Sequence, residues 1–201
     1  MSKYFVVNAY PRSGSIFFTN FIYEYRPEVL SLNSLHIPYI LDNPNILSVS
    51  IIRNPYHAIA SFLYMNFGSE EKISSENEKL IDNIKRHVDS YSVYLDYYEK
   101  LLDADFLHII DFDKMEENPH DQAILVFDKF KLNYRKDKIV TAKEVREDIL
   151  QHKNIQDKGG HMPREKTEQR LLIEDFVNNS KYIDEIFQRY KNVKKMISFS
   201  P

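Results

Sequence analysis

Apolar residues along this chain fall into two patterns: short unbroken runs, and longer stretches at helical spacing. Phe5, Val6 and Val7 make the first run, rich in strand formers, and Pro11 closes it. Ile16, Phe17, Phe18, Phe21 and Ile22 follow at helix-compatible spacing, so a helix over 16–25 is expected, ending near Arg26-Pro27. Val29 to Leu32 allows a short strand, and Tyr39 to Leu41 a brief apolar turn. Ile46 to Ile52, ILSVSII, predicts a buried strand that stops at Arg53-Asn54-Pro55. Tyr56 to Tyr64 then returns to helical spacing through Ile59, Phe62 and Leu63. The succession of strand, polar loop and helix therefore occurs twice, which predicts two βα units of a parallel sheet.

Asn66 to Asn77 is polar and acidic and reads as a mobile loop. A long helix is predicted from Leu80 to Leu102, with Leu80, Ile84, Val88, Tyr91, Leu95, Tyr98 and Leu102 along one core-facing stripe. Phe106 to Ile110 is a further apolar strand, in which His108 reads as a packed, structural histidine. A turn over Asp111 to Pro119 leads to helices at about 120–130 and 142–151. Lys153 to Arg164 is a glycine-bearing polar loop, and one helix from Thr167 to Tyr190 is expected to close the chain. The pattern predicts a single α/β domain over residues 1–201: three layers, a central mainly parallel sheet flanked by helices, and a mainly helical C-terminal part.

Composition narrows the function classes. With 43% hydrophobic and 28% charged residues, the 201-residue chain is globular and long enough for a proper core. A net charge of −3 argues against nucleic-acid coating but leaves room for a local basic pocket. The absence of cysteine excludes disulfides, thiolate catalysis and cysteine-bound zinc. No apolar run approaches the ~20 residues of a membrane span. The N-terminus enters a strand without a signal-peptide pattern, so a cytoplasmic protein is expected. No His and carboxylate spacing suits a metal, and none is expected.

The first polar loop carries the clearest chemistry. Arg12, Ser13, Gly14 and Ser15 supply a cation, two hydroxyls and a residue free to take unusual backbone angles. A strand feeding through such a loop into a helix N-terminus makes an anion site, because unpaired N–H groups and the helix dipole both face the ligand. Serine capping of the helix is the structural alternative. The loop is neither a Walker A sequence, which needs a second Gly and a following Lys, nor a G-x-G-x-x-G fingerprint, so an ordinary nucleotide triphosphatase is disfavoured. Arg12 and Arg53 each lie just beyond a strand, where ligands gather in parallel sheets.

Taken together, these residues resemble the sulfotransferases that use 3′-phosphoadenosine 5′-phosphosulfate (PAPS). Tyr10-Pro11-Arg12-Ser13-Gly14-Ser15-Ile16-Phe17 is similar to the family's Y-P-K-S-G-T-x-W phosphosulfate loop, with Arg for Lys and Phe for Trp. Arg53 to Ser61, RNPYHAIAS, resembles its R-N-P-x-D-x-x-x-S motif, with His57 in place of Asp. His36-Ile37-Pro38 looks like the H-L-P that carries the catalytic base. Asp113 to Pro119 is similar to the family's acidic turn. Asp157-Lys158-Gly159-Gly160 echoes the C-terminal R-K-G segment that closes over the nucleotide, with Asp157 where Arg is expected.

The resemblance implies a P-loop-like nucleotide-binding architecture and in-line sulfuryl transfer from PAPS to a hydroxyl or amine, leaving 3′,5′-adenosine bisphosphate. It makes Arg12 and His36 catalytic, with His36 as general base and Arg12 stabilising charge on the leaving oxygen. Arg12, Ser13, Gly14, Ser15, Ile16 and Phe17 would hold the phosphosulfate end. Arg53 and Ser61 would clamp the 3′-phosphate, and Lys158 and Gly159 would close over it, helped by Arg164. His161, Glu70 and Glu71 are rival bases. The acceptor is a small molecule, carbohydrate or peptide. Two other readings stand beside this one: a non-catalytic nucleotide or phospho-ligand binding module of the same fold, and a kinase-like phosphotransferase, disfavoured by the missing Walker A Lys.

Overall fold

A computed structural model describes residues 4–25, 31–67, 78–152 and 168–199. In chain order its elements are β1 (Tyr4–Asn8), α1 (Ser15–Tyr25), β2 (Ser31–Leu35), a 3-10 turn (Pro38–Asp42), β3 (Ile46–Ile52), α2 (Pro55–Phe67) and α3 (Glu78–Leu101). They continue with β4 (Leu107–Asp111), α4 (Phe112–Glu117), α5 (Pro119–Lys129), α6 (Ala142–His152), α7 (Glu168–Asn178) and α8 (Asp184–Phe199).

The strands pair in the order β2-β1-β3-β4, and every pairing is parallel. The apolar runs at 5–7, 46–52 and 106–110 thus become β1, β3 and β4, while β2 lies a little beyond the expected 29–32. Alternation along the strands divides the core. Phe5, Val7, Ala9, Leu47, Val49 and Ile51 face α1, α5 and α6, whereas Ile52, Leu107 and Ile109 face α2, α3, α7 and α8. The chain is α/β, with helices on both faces of an open parallel sheet.

The long stripe predicted on α3 is buried at Leu80, Ile84, Tyr91, Leu95 and Tyr98, with Tyr94 and Leu101 added. Two expectations need correction. The segment 111–119 is not merely a turn: Asp111 caps Asp113 N–H (3.1 Å) and starts α4, and Asn118 caps Asp121 N–H (3.2 Å) and starts α5 at Pro119. The single C-terminal helix is two, divided at 179–183 and running on to Phe199. There the Asn179 side chain turns back onto the Asp175 carbonyl (2.9 Å), and Ser180 N–H bonds Val177 O (3.1 Å), which ends α7.

Strand order decides where a ligand can sit. From β1 the chain passes to β2 on one side and then to β3 on the other, so the crevice opens beyond the carboxyl ends of β1 and β3. The two polar loops singled out above leave from those two ends.

Candidate functional site

Beyond β1, a turn closes at Ser13 N–H to Tyr10 O (3.2 Å), and α1 begins with Phe18 N–H on Gly14 O (3.0 Å). Arg12 (φ 69°) and Gly14 (φ 81°) both have left-handed backbones. For Gly14 this is free; for Arg12 it is a strain of about 1–2 kcal/mol, held by what surrounds it. Such alternation turns successive N–H groups towards one concave side, the geometry of anion nests.

The second loop locks onto the first. Arg53 Nη1 donates to the Arg12 carbonyl (2.5 Å), and Arg12 Nε donates to Ser61 Oγ (3.1 Å) on α2. Ser61 therefore meets Arg12, not Arg53. The Arg53 guanidinium lies over the Phe112 ring at 4.2 Å, and the Tyr91 hydroxyl donates to the Arg53 carbonyl. Burial pulls the Arg53 pKa below its ordinary value; Glu116 opposes that shift and the charge of Arg170 adds to it. Phe112 and Met115 of α4 also press on Gly14, where a Cβ would fall 2.7 Å from Met115 Cε and 3.0 Å from Phe112 Cε2.

Two donors in this assembly have no hydrogen-bond partner among the described residues: the buried Ser13 hydroxyl and Arg53 Nε. Each carries an uncompensated desolvation cost of about 1–3 kcal/mol. Ser13 is thus not spending its hydroxyl on a helix cap. Ser15 is buried at the first position of α1, and Ile16 and Phe17 are half-buried on its first turn. Two positive side chains, an unpaired hydroxyl and a helix N-terminus together fit an anion of high charge.

His36 is held beside this loop by β1. The Asn8 amide brackets Ile37, donating to its carbonyl (2.6 Å) and accepting its N–H (3.1 Å). A register shift between Val6 and Asn8 places Asn8 opposite Leu35, so that Ala9 and His36 meet. His36 Nδ1 lies 2.6 Å from the Ala9 carbonyl, which can only accept. Nδ1 must therefore carry a proton, which in the neutral ring leaves the lone pair on Nε2 of the exposed side chain.

Beneath, Ser50 Oγ donates to the Asn8 carbonyl and must then accept from Tyr98 (2.7 Å), while Tyr94 donates to Asn8 Oδ1 (3.3 Å). Burial raises the pKa of the Tyr10 phenol and lowers that of His87. Tyr10 OH therefore stays protonated and donates to His87 Nδ1 (2.7 Å). The floor of the crevice is a satisfied tyrosine network, consistent with a rigid support.

The fold thus brings Arg12, Ser13, Gly14, Ser15, Arg53, Ser61 and His36 to one crevice. Lys158, Gly159, Arg164, His161, Glu70 and Glu71 lie outside the described residues. Phe112 and Arg146, which the sequence did not single out, also border the loops, as does Tyr91, read from the sequence only as part of the core-facing stripe of α3. The Arg146 guanidinium lies 5.3 Å over the Phe17 ring and 3.8 Å from Glu116. Among the described residues, no cluster of three or more His and acidic side chains is placed to hold a metal, and no helix is long and apolar enough to cross a membrane.

No family model matches the sequence, and no curated protein matches it. Solved structures do. The mouse sulfotransferase SULT7A1, crystallised with PAP, superposes with a TM-score of 0.56 at 11% identity, over 100% of this chain and 90% of its own. A sulfotransferase from Alicyclobacillus acidocaldarius aligns with a TM-score of 0.45 at 9% identity, over 94% of this chain and 99% of its own. The first likeness shows that this chain has the sulfotransferase fold, with its P-loop-like architecture.

Proposed function

We propose that this chain, as one domain over 1–201, is a cytoplasmic sulfotransferase that moves the sulfuryl group of PAPS to a hydroxyl or amine of a small-molecule, carbohydrate or peptide acceptor. The observation that carries the reading is the union of the two anion loops through Arg53 Nη1 and the Arg12 carbonyl at 2.5 Å, with His36 pinned to the same β1 end. That a protein of this fold was crystallised with PAP supports it.

In this reading the Arg12 loop and the N-terminus of α1 bind the phosphosulfate, and Arg53 with its neighbours binds the 3′-phosphate. Ser61 acts by aiming Arg12. His36 Nε2 takes the acceptor's proton as the acceptor oxygen or nitrogen attacks sulfur. The bond from sulfur to the bridging oxygen breaks, and the electron pair remains on the leaving bisphosphate, where Arg12 stabilises it. Arg12 keeps its own proton, so it binds charge without acting as an acid. The Nδ1 bond to Ala9 orients the ring and stabilises the imidazolium that forms. No metal is required for these steps.

Calorimetric titration with 3′,5′-adenosine bisphosphate, with ATP as control, tests the site. Tight binding of the bisphosphate, weak binding of ATP and at least a tenfold loss in Arg12→Ala are expected. Turnover with labelled PAPS and an acceptor panel tests the chemistry. His36→Asn is expected to keep the affinity and lose activity by roughly 10²–10⁴-fold. Absence of bisphosphate binding would sink the proposal; binding without turnover on any acceptor would leave the non-catalytic module.

A further inference from the structure

We infer that Asn8, the last residue of β1, is the positioning residue that fixes the ring and the tautomer of His36. Its catalytic meaning rests on His36 being the base of the proposed reaction, and Asn8 lies outside every sequence motif above.

An asparagine that ends an apolar strand and is fully buried carries a desolvation cost unless its amide is fully used. The neighbouring backbone uses it. β2 ends at Leu35, so the chain at 36–37 has left the ladder. There the Asn8 side chain takes the place of a peptide group: Nδ2 donates to the Ile37 carbonyl (2.6 Å), and Oδ1 accepts the Ile37 N–H (3.1 Å). A backbone N–H only donates and a carbonyl only accepts, so the amide has one orientation here. No other side chain of this length offers the same pair. Ionised aspartate lacks the donor, leucine lacks both groups, and glutamine sets the amide one methylene further out.

The consequence appears one residue earlier. With Ile37 held by both of its backbone groups, His36 is confined beside Ala9, where Nδ1 lies 2.6 Å from the buried Ala9 carbonyl. An exposed histidine on a chain leaving a sheet would otherwise turn freely. In water the neutral imidazole favours the proton on Nε2, which leaves no lone pair at the outward nitrogen. The tautomer is set by the bond that the other nitrogen makes, and that bond exists only while Ile37 is held. Asn8 is itself fixed from behind: Tyr94 of α3 donates to Oδ1 (3.3 Å), and Ser50 of β3 donates to the Asn8 backbone carbonyl. The order of support runs from α3 and β3 through Asn8 and Ile37 to the ring.

Nitrogen-15 NMR of the histidine rings tests this without any substrate. The protein is labelled with nitrogen-15 histidine and read at about pH 8.5, where an ordinary imidazole is neutral. Of the seven histidines, His36 is the one whose signals vanish in His36→Asn. Wild type is expected to show the Nδ1–H form. Asn8→Leu, which keeps the shape, and Asn8→Ser, which shortens it, are expected to shift His36 towards Nε2–H. Tyr94→Phe, which leaves the Ile37 bracket intact, should keep Nδ1–H. Thermal melts separate lost stability from a changed tautomer. If neither Asn8 variant folds, hydrogen exchange in wild type decides: protection of the Ile37 N–H by about a hundredfold or more is expected, and exchange at the rate of an open loop overturns the inference. An unchanged tautomer in a folded Asn8 variant overturns it as well, and so does Nε2–H in wild type.

Turnover gives the second arm. With labelled PAPS and the acceptor panel, Asn8→Leu is expected to keep its bisphosphate affinity within about twofold and to lose turnover roughly 10²-fold. Unchanged turnover would overturn the positioning role. A wild type that binds no bisphosphate or sulfates no acceptor defeats the sulfotransferase reading instead, and the ring spectra still decide whether Asn8 holds His36.

Discussion

At Gly14 an added methyl would meet Met115 Cε at 2.7 Å and Phe112 Cε2 at 3.0 Å, on a backbone with φ 81°. Met115 is flexible and can yield, but the backbone penalty and the Phe112 ring remain. Gly14→Ala is therefore expected to lose about 2 kcal/mol of stability, read by denaturant titration, and to disturb the Arg53 stack through Phe112. A different residue controls acid sensitivity. His108, on the sheet face towards α5, is pushed down to about 4 by burial and by the charge of Lys129. Between pH 6.5 and 4 the unfolded chain binds the proton that the folded chain refuses, so stability falls as pH falls. The loss reaches at most about 3 kcal/mol below pH 4, and the lowered pKa of His87 adds to it with the same sign. Urea midpoints at pH 7.5 and 4.5 should differ less in His108→Asn than in wild type; equal slopes would refute the assignment.

Among the elements, α4 ties the site to the last C-terminal helix. Lys194 of α8 grips Asp111 (2.8 Å) and Asp113 (2.7 Å), which bracket Phe112 in sequence. Burial works against the Lys194 charge, yet the bonds to Asp111 and Asp113 outweigh it and raise its pKa. Asp111 is only 4% exposed, so Lys194→Met would strand a buried carboxylate. The partly exposed lysine places the expected loss between that of surface and buried pairs, at about 2 kcal/mol by chemical denaturation. Tyr98→Phe, which removes the donor to Ser50, is expected to lose about 1 kcal/mol in the same assay.

These contacts also mark how far the sequence could be read. Arg12, Ser13, Gly14 and Arg53 were legible because each follows an apolar strand, and strand ends of a parallel sheet converge. The Arg12 bond to Ser61, the Phe112 stack and the Arg146 cover were not, because they join segments far apart in sequence and helical periodicity says which face is buried, not what it meets. The break between α7 and α8 was hidden in the same way: Ile173, Val177, Ile183 and Ile186 keep apolar positions recurring across Asn179 and Ser180.

For the molecule as a whole, the crevice lies where the chain's progression across the parallel sheet reverses, between helices packed on opposite faces. A ligand spanning the two loops would bind only the folded chain, and at a hundredfold excess over its Kd is expected to add about 2.7 kcal/mol of stability, visible as a raised melting temperature. The bond from Arg53 to the Arg12 carbonyl has a further consequence. Because one loop's donor is seated on the other loop's backbone, the loops cannot be ordered separately; whichever phosphate arrives first fixes both. The pair behaves as a chelating unit. A ligand carrying two phosphates meets the ordering cost once for two sets of contacts, whereas a 3′- or a 5′-monophosphate binding alone meets all of it for one set. On the proposed reading, adenosine 3′,5′-bisphosphate should therefore bind more tightly than the separate gains from adding a 3′- or a 5′-phosphate to adenosine can explain.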